Sequence, residues 1–206
     1  RKAAMELTRL KVNSQYRPCV DEAPYFSWVI TSDKKNVMQT SYHITVTGLG
    51  EVVWDSGVVE SDKSTFVEYN GKPLKSLSDY SWTVEVTVNN GEKAAASSSF
   101  ETGFMKKEWT AEWVKSPFPM KKVKPGTGGQ NPAEYFRKEF GVRDGIKRAR
   151  VYATCHGAYQ LSMNGMRPDD REFAPEFTVY SQYLCYQTYD VTSVLREGEN
   201  VIGMLV

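Results

Sequence analysis

The chain has 206 residues, and its 26 basic and 25 acidic side chains leave a formal net charge of +1. A hydrophobic share of 40% with 13% aromatic residues describes an ordinary globular protein with room for two domains of about 100 residues each. The balanced charge offers no basic surface for a polyanion, and no apolar run approaches the ~18 residues that span a bilayer. We therefore expect no nucleic-acid partner and no membrane span.

Alternating bulky and polar residues predict strands in the first half of the chain, where helical periodicity is nearly absent. The clearest pattern runs from Tyr80 to Val88, and similar patterns cover Phe26 to Ile30 and Tyr42 to Thr47. Such strands bury one face and expose the other. The sequence therefore predicts an all-β protein.

A tyrosine near the start of one strand indicates the type of the first domain. Leu74 lies six residues before Tyr80, a spacing that resembles the tyrosine corner of fibronectin type III domains, whose hydroxyl bonds back to the preceding chain. Trp28 would then be the core tryptophan of an early strand. We expect residues 1–104 to form a fibronectin type III-like β-sandwich.

Two tryptophans mark the start of the second predicted domain, residues 109–206. The segment from Trp109 to Trp113 is interpreted as the entry strand of this domain. The stretch from Pro117 to Pro132 that follows is rich in proline, glycine and lysine, which predicts a mobile surface loop.

Five further strands are predicted in the second domain, at residues 134–140, 148–154, 158–164, 183–191 and 200–206. A sandwich needs two sheets to cover its core, and this number is small for that purpose. We therefore expect an incomplete jelly-roll-like sandwich, truncated at its C-terminus. Its exposed strand edge could pair with another copy of the chain.

The cysteines and histidines show no metal-binding spacing. Cys19, Cys155 and Cys185 are widely separated and are predicted to be small buried hydrophobes. Cys155 and Cys185 both fall on predicted strands of the second domain, so they could pair if they are neighbours. His43 and His156 are interpreted as surface histidines without a metal.

The loop from residue 164 to residue 180 offers the side chains that bind sugars, which are aromatic faces and groups that bond to hydroxyls. The candidates are Asn164, Arg167, Asp169, Asp170, Phe177 and Tyr180. In the alternative interpretation, Asn164 and Gly165 form a hairpin turn, and Phe177 and Tyr180 pack in the core or at a domain interface. Because Asp169 and Asp170 are adjacent, their side chains diverge on an extended chain, and we assign no catalytic residues.

A long ordered series of motifs runs through the second domain. It comprises Gly157-Ala158-Tyr159-Gln160-Leu161, Asn164-Gly165, Pro175 to Tyr180, Tyr186 to Thr192, and Gly198 to Gly203. This series resembles the N-terminal accessory region of bacterial α-L-rhamnosidases of glycoside hydrolase family 78. Val53-Trp54-Asp55-Ser56-Gly57 is similar to an edge in the opening domain of the same family.

The resemblance implies a non-catalytic part of a glycosidase that hydrolyses terminal rhamnose from glycans. It implies that the chain packs on a helical catalytic barrel, is inactive alone, and is periplasmic or secreted. Some relatives bind rhamnose with a calcium ion, so calcium is implied by resemblance only and no residue is assigned to it. The alternatives are an autonomous rhamnose-binding module and an adhesion-type fibronectin-like module.

Overall fold

A computed structural model describes residues 5–118 and 132–206. The chain divides into two compact units, Arg1–Ala111 and Glu112–Val206. The regular elements of the described residues are all β-strands, which confirms the predicted all-β class. In the described part of the chain, no helix is long and apolar enough to span a membrane. The predicted loop from Pro117 to Pro132 lies almost entirely outside the described residues.

The first unit contains eight described strands in two sheets. They are β1 (Glu6–Val12), β2 (Cys19–Val20), β3 (Tyr25–Thr31), β4 (Gln39–Gly48), β5 (Glu51–Glu60), β6 (Val67–Glu68), β7 (Asp79–Val88) and β8 (Lys93–Thr102). One sheet has the order β1-β3-β6 and the other has the order β2-β8-β7-β4-β5. The pairing is antiparallel except between β2 and β8. These sheets make the unit a β-sandwich, as the sequence predicts.

The core of the first unit lies on the alternating faces that the sequence predicts. Every second residue of β7 from Tyr80 to Val88 is buried, and the residues between them face outward. Trp28 is also buried, at 1% exposure, and its indole Nε1 donates to Gln39 Oε1 at 2.9 Å. The predicted core tryptophan is therefore confirmed, and its polar atom is satisfied.

The predicted tyrosine corner is also confirmed. The backbone amide of Lys75 donates to the Tyr80 hydroxyl at 2.8 Å, just before β7 begins. The Tyr80 ring is 3% exposed and stacks on Phe100 with centroids 5.3 Å apart. This bond joins the loop before β7 to the core.

β5 forms one edge of the five-stranded sheet, as the motif around Trp54 to Gly57 indicates. The register between β4 and β5 shifts after His43, and the Ser56 hydroxyl accepts the backbone amide of Ile44 at 2.8 Å. A bulge at an edge strand limits pairing with other chains.

The predicted entry strand between Trp109 and Trp113 is wrong. These residues form no strand, and the Trp113 side chain is 66% exposed. Trp109 instead stacks on Phe104, with ring centroids 4.4 Å apart and planes 19° from parallel. A strand requires a neighbouring strand to bond its backbone groups. The apolar side chain of Trp109 instead packs against the ring of Phe104.

The second unit contains the five other predicted strands. They are β9 (Tyr135–Val142), β10 (Arg150–Ala153), β11 (Gln160–Met163), β12 (Gln187–Asp190) and β13 (Gly198–Leu205). One sheet has the order β11-β13-β9, and β10 pairs with β12 in the other. Their buried residues form a separate small core of Ala153, Cys155, Tyr159, Leu161, Met163, Ala174, Tyr189 and Val191.

The last strand of the chain, β13, is central in its sheet. It pairs with β11 on one side and with β9 on the other. Beyond the strand, Glu134 and Val206 exchange both backbone hydrogen bonds, at 2.9 and 3.0 Å. The edges of this sheet, within the described residues, are therefore β9 and β11.

Candidate functional site

The predicted sugar-binding loop begins at a hairpin turn after β11. Asn164 and Gly165 both have positive φ, 53° and 80°, which is the geometry of a type I′ turn. Met163 and Met166 exchange backbone hydrogen bonds of 2.8 and 3.0 Å across it. The alternative interpretation of this pair as a hairpin turn is confirmed.

The Asn164 side chain is used within the fold. Its Nδ2 donates to Val194 O and to Asn200 Oδ1, both at 2.8 Å, and its Oδ1 accepts the Val201 amide at 2.9 Å. Asn200 is 1% exposed and bonds in turn to the backbone of Arg196. The Asn164 side-chain amide therefore holds the turn against β13 rather than pointing toward a ligand.

The next part of the loop is held by ion pairs. Asp169 accepts the Arg171 backbone amide and lies against the Arg171 guanidinium, both at 3.0 Å. Arg167 pairs with Glu172 at 2.8 Å, and this hydrogen bond raises the pKa of the Arg167 guanidinium. Asp170 is exposed. Asp169 is thus engaged within the loop, whereas Asp170 faces solvent.

Two tyrosines form the floor beneath these ion pairs. The Tyr189 hydroxyl donates to the Tyr159 hydroxyl at 3.0 Å, and Tyr159 donates to the carbonyl of Ala153 at 3.1 Å. Burial, followed by the bond to Tyr189, raises the pKa of Tyr159. The Arg171 guanidinium lies 5.1 Å from the Tyr189 ring centroid. The cavity among these groups is about 10 Å³, room for one water molecule at most.

This loop does not fit a calcium ion. Calcium takes 6–8 oxygen ligands, whereas the carboxylates of Asp169 and Glu172 are paired with arginines. Among the residues that the structure describes, no three His, Cys, Asp or Glu side chains are grouped so that they could hold a metal. The charge of the two guanidinium groups also opposes a cation there.

Two residues of the loop, Phe177 and Tyr180, form an exposed aromatic cluster with Trp113 and His156. The His156 and Tyr180 rings stack with centroids 4.8 Å apart and planes 10° from parallel. Trp113 lies 4.9 Å from His156, and Phe177 lies 6.0 Å from Tyr180. The exposed fractions are 66% for Trp113, 91% for Phe177 and 36% for Tyr180. The cluster therefore presents ring surface to solvent.

Two anchors position this aromatic cluster. The Tyr180 hydroxyl accepts the Gly157 backbone amide at 2.8 Å, which joins the loop to the segment after β10. The Tyr159 amide donates to the carbonyl of Ala174 at 2.7 Å, which holds the middle of the loop against the core. Phe177 and Tyr180, both candidates for sugar binding from the sequence, come together here. The Asn164 amide, by contrast, makes its hydrogen bonds within the fold.

Sequence reasoning missed Trp113 and His156 as members of the cluster. The sequence pattern places Trp113 in an entry strand and indicates that His156 is a surface histidine. Both lie far along the chain from Tyr180, so no local spacing pattern could have joined them. The pairing of β10, which precedes His156, with β12, which follows Tyr180, brings those two residues together, and Trp113 packs against His156.

The other histidine lies on the first unit. His43 Nε2 is 2.6 Å from Asp55 Oδ1, and its Nδ1 is 3.9 Å from Glu85. The Gly57 backbone amide and then the His43 ring lower the pKa of Asp55 by donating to it. The arrangement ties the bulged edge strand β5 to β4.

Two family models match the chain. The Rha78A-like N-terminal immunoglobulin domain matches residues 7–106, and the α-L-rhamnosidase N-terminal domain matches residues 144–206. Immunoglobulin and fibronectin type III domains share the sandwich architecture, so the first match agrees with the predicted fold.

Several α-L-rhamnosidases are similar to most of this chain. One from Formosa agariphila is 30% identical over an aligned length of 229 residues. This alignment covers 98% of this chain and 24% of that protein. One from Streptomyces avermitilis is 30% identical and covers 79% of this chain and 18% of its own length. The chain thus spans about a quarter or less of these relatives.

Solved structures agree with the sequence matches. The α-L-rhamnosidase from Dictyoglumus thermophilum has a TM-score of 0.82 at 29% identity, covering 97% of this chain and 25% of that chain. The enzyme from Aspergillus terreus has a TM-score of 0.86 at 26% identity, covering 98% and 24%. The chain belongs to the α-L-rhamnosidase family and corresponds to its N-terminal accessory region, with an immunoglobulin-type domain followed by the rhamnosidase N-terminal domain.

Proposed function

We propose that this chain serves an α-L-rhamnosidase, which removes terminal rhamnose from glycans, as a non-catalytic part that packs on a helical catalytic barrel. The observation that carries the proposal is the ordered match of both units to N-terminal domains of this family. The α-L-rhamnosidase from Formosa agariphila matches along 98% of this chain but only 24% of its own length.

The chemistry of the described loop supports a non-catalytic role. Hydrolysis of a glycoside uses two facing carboxyl groups, one of which must be protonated to act as an acid. Asp169 and Glu172 are instead bound to Arg171 and Arg167. Both carboxylates are therefore engaged in ion pairs within the loop rather than facing each other across a substrate.

The test is hydrolysis of p-nitrophenyl α-L-rhamnoside by the purified chain and by the whole polypeptide that contains it. We expect release of nitrophenol by the whole polypeptide and none by residues 1–206 alone. Deleting these residues from the whole polypeptide should lower its melting temperature. Hydrolysis by the chain alone, or a whole polypeptide that cleaves only other glycosides, would contradict the proposal.

The aromatic cluster favours a second function, which is direct binding of rhamnose by the second unit. Pyranose rings stack their C–H faces on exposed aromatic rings, and rhamnose adds an apolar methyl group. Phe177 and Tyr180 offer such faces beside Trp113. The Asn164 amide takes no part, because its hydrogen bonds are made within the fold.

Titration calorimetry of L-rhamnose against the purified chain tests this second function. Phe177→Ala should weaken binding at least fivefold, because the side chain is 91% exposed and has little structural role. The matched control is Phe173→Ala, which is 83% exposed in the same loop but outside the aromatic cluster. Binding should persist in the presence of a chelator. Equal loss in both variants, or no saturable heat, would rule out the aromatic cluster as a sugar site.

We also propose self-association through the edge strand β9. Tyr135 at its start is 83% exposed, and β9 ends the sheet order of the described residues in this unit. Exposed edges pair with strands of other chains. Sedimentation velocity should show a concentration-dependent dimer; a monodisperse monomer that binds no hydrophobic dye would contradict this.

A periplasmic or secreted location completes the proposal, in keeping with the glycan-degrading role proposed for the whole polypeptide. Fractionation of the source cells with an antibody against this chain tests the location. Recovery with cytoplasmic marker proteins would contradict it.

A further inference from the structure

We propose that Cys155 and Cys185 are a disulfide site, joined by a cross-strand bond when the protein meets a small-molecule disulfide such as oxidised glutathione. Both are thiols in the structure, and Cys155 is buried while Cys185 is half-buried. The inference concerns the second unit alone and is independent of the proposed binding of rhamnose.

The register of β10 and β12 carries the argument. The two strands are antiparallel, with Arg150 opposite Asp190 and Ala153 opposite Gln187. Continuing the same register by two residues places Cys155 opposite Cys185.

Contacts beyond the strand ends show that the two segments stay adjacent. The Thr154 hydroxyl donates to the carbonyl of Cys185 at 2.7 Å. The rings of Tyr152 and Tyr186, which are diagonal neighbours in this register, lie 6.1 Å apart. The segments therefore stay close to each other beyond the last paired residues, Ala153 and Gln187.

The Cα distance expected for such a pair suits a disulfide, and the Cβ atoms must approach each other by up to about 1 Å to form it. Residues directly opposite in an antiparallel pair have Cα atoms about 4.5–5.5 Å apart and similar Cβ separations. A disulfide needs Cα atoms about 4.4–6.8 Å apart and Cβ atoms about 3.5–4.5 Å apart. Alternation along a strand also places Cys155 on the face of Ala153, and Cys185 on the face of Gln187, so both thiols share one face.

The exposure of the two thiols sets the order of the reaction. The accessible Cys185 thiolate attacks one sulfur of oxidised glutathione, whose S–S bond breaks and releases one glutathione thiolate. Burial raises the pKa of the Cys155 thiol, so this group reacts second. Cys155 loses its proton and attacks the Cys185 sulfur, releasing the second glutathione. Two protein thiols are oxidised, and one glutathione disulfide is reduced to two thiols.

The bond would close the segment that carries most of the aromatic cluster. His156 follows Cys155 directly, and Phe177 and Tyr180 lie before Cys185. In the structure this segment is anchored by hydrogen bonds, among them that of Tyr180 to Gly157. A covalent link at its base restricts the unfolded chain, so the oxidised protein should be more stable.

The experiment uses the full chain with Cys19→Ser, so that only the two cysteines of interest remain. The protein is equilibrated in glutathione buffers of rising oxidised fraction, then denatured and alkylated with a maleimide for mass spectrometry. We expect both thiols to be lost together, with a mass two hydrogens below that of the dithiol and no glutathione retained. Trypsin should then yield the peptides of residues 151–171 and 172–196 as one linked species.

Two further measurements make the outcome decisive. The oxidised chain should melt several degrees above the reduced chain, and addition of dithiothreitol should reverse the shift. In Cys155→Ser, glutathione should stay attached to Cys185 because the second thiol is missing. Full alkylation of both cysteines in every buffer, or stable glutathione on Cys185 with Cys155 still a thiol, would overturn the proposal.

Discussion

Asn164 Nδ2 donates to Asn200 Oδ1 at 2.8 Å, which ties the hairpin turn after β11 to the buried start of β13. Asn200 itself bonds to the backbone of Arg196 and Gly198. A side chain that the sequence offers for sugar recognition thus stabilises the second unit.

Replacing Asn164 by glycine should destabilise the chain by about 2 kcal/mol, because three hydrogen bonds are lost and their partners are left unsatisfied. Glycine keeps the positive φ of 53°, so the loss reports on the amide group. The matched control is Asn36→Gly, an exposed residue with φ of 59°, which should cost less than about 0.5 kcal/mol. Urea unfolding measures both. Equal effects would show that the Asn164 amide contributes nothing special.

Gly48 and Tyr80 form a second specific pair, in which the tyrosine ring covers the glycine across neighbouring strands. A Cβ atom at Gly48 would overlap the Tyr80 ring, which its hydrogen bond to Lys75 holds in place. Gly48→Ala should therefore cost about 1–3 kcal/mol, as overpacking does. Gly141→Ala in β9 is the control, because a Cβ there meets no atom within 4 Å. Thermal melting of the two variants should differ clearly.

The tyrosine corner predicts a measurable cost for removing one oxygen. Tyr80→Phe leaves the Lys75 amide without its acceptor and should lower the free energy of unfolding by about 1–2 kcal/mol. Tyr16→Phe removes a hydroxyl from a side chain that is 62% exposed and should have almost no effect. Urea titration of both variants checks this. An unchanged midpoint for Tyr80→Phe would mean that water replaces the hydroxyl.

Acid should destabilise the second unit through Asp190. Burial tends to raise the pKa of this carboxyl, but the bonds from Thr192 and the charge of Arg150 outweigh it, so the pKa lies below the usual value. A depressed folded-state pKa gives stability that is complete above the unfolded value of about 4 and is lost as the pH falls through the folded value. The carboxyl is 61% exposed, so the contribution is below about 1 kcal/mol.

Asp190→Asn should therefore lower the melting temperature at pH 7 and reduce its dependence on pH below about 4. Asp144→Asn, which changes an exposed aspartate in the same unit, is the control and should keep the wild-type profile. Calorimetric melting at several pH values separates the two. A profile for Asp190→Asn that parallels the wild type would contradict the assignment.

Features that depend on local pattern could be predicted from the amino-acid sequence alone. Alternation of buried and exposed residues located β7 because side chains on a strand alternate faces. The spacing of Leu74 and Tyr80 predicted the corner, and the Asn164-Gly165 pair indicated the turn, since positive φ at both positions favours these residues. The motif order from Tyr152 to Asn200 was sufficient for the family.

Features that depend on residues distant in the chain follow only from the folded arrangement of the strands. The Asn164 side chain meets Asn200, and Tyr180 meets His156, only after strand pairing sets the register. The segment from Trp109 has an apolar strand pattern but forms no strand, because a strand exists only with a neighbour to share its backbone hydrogen bonds. Local sequence patterns predict the backbone conformation and the burial of a residue. The contacts that decide what a side chain does depend on the register of the paired strands.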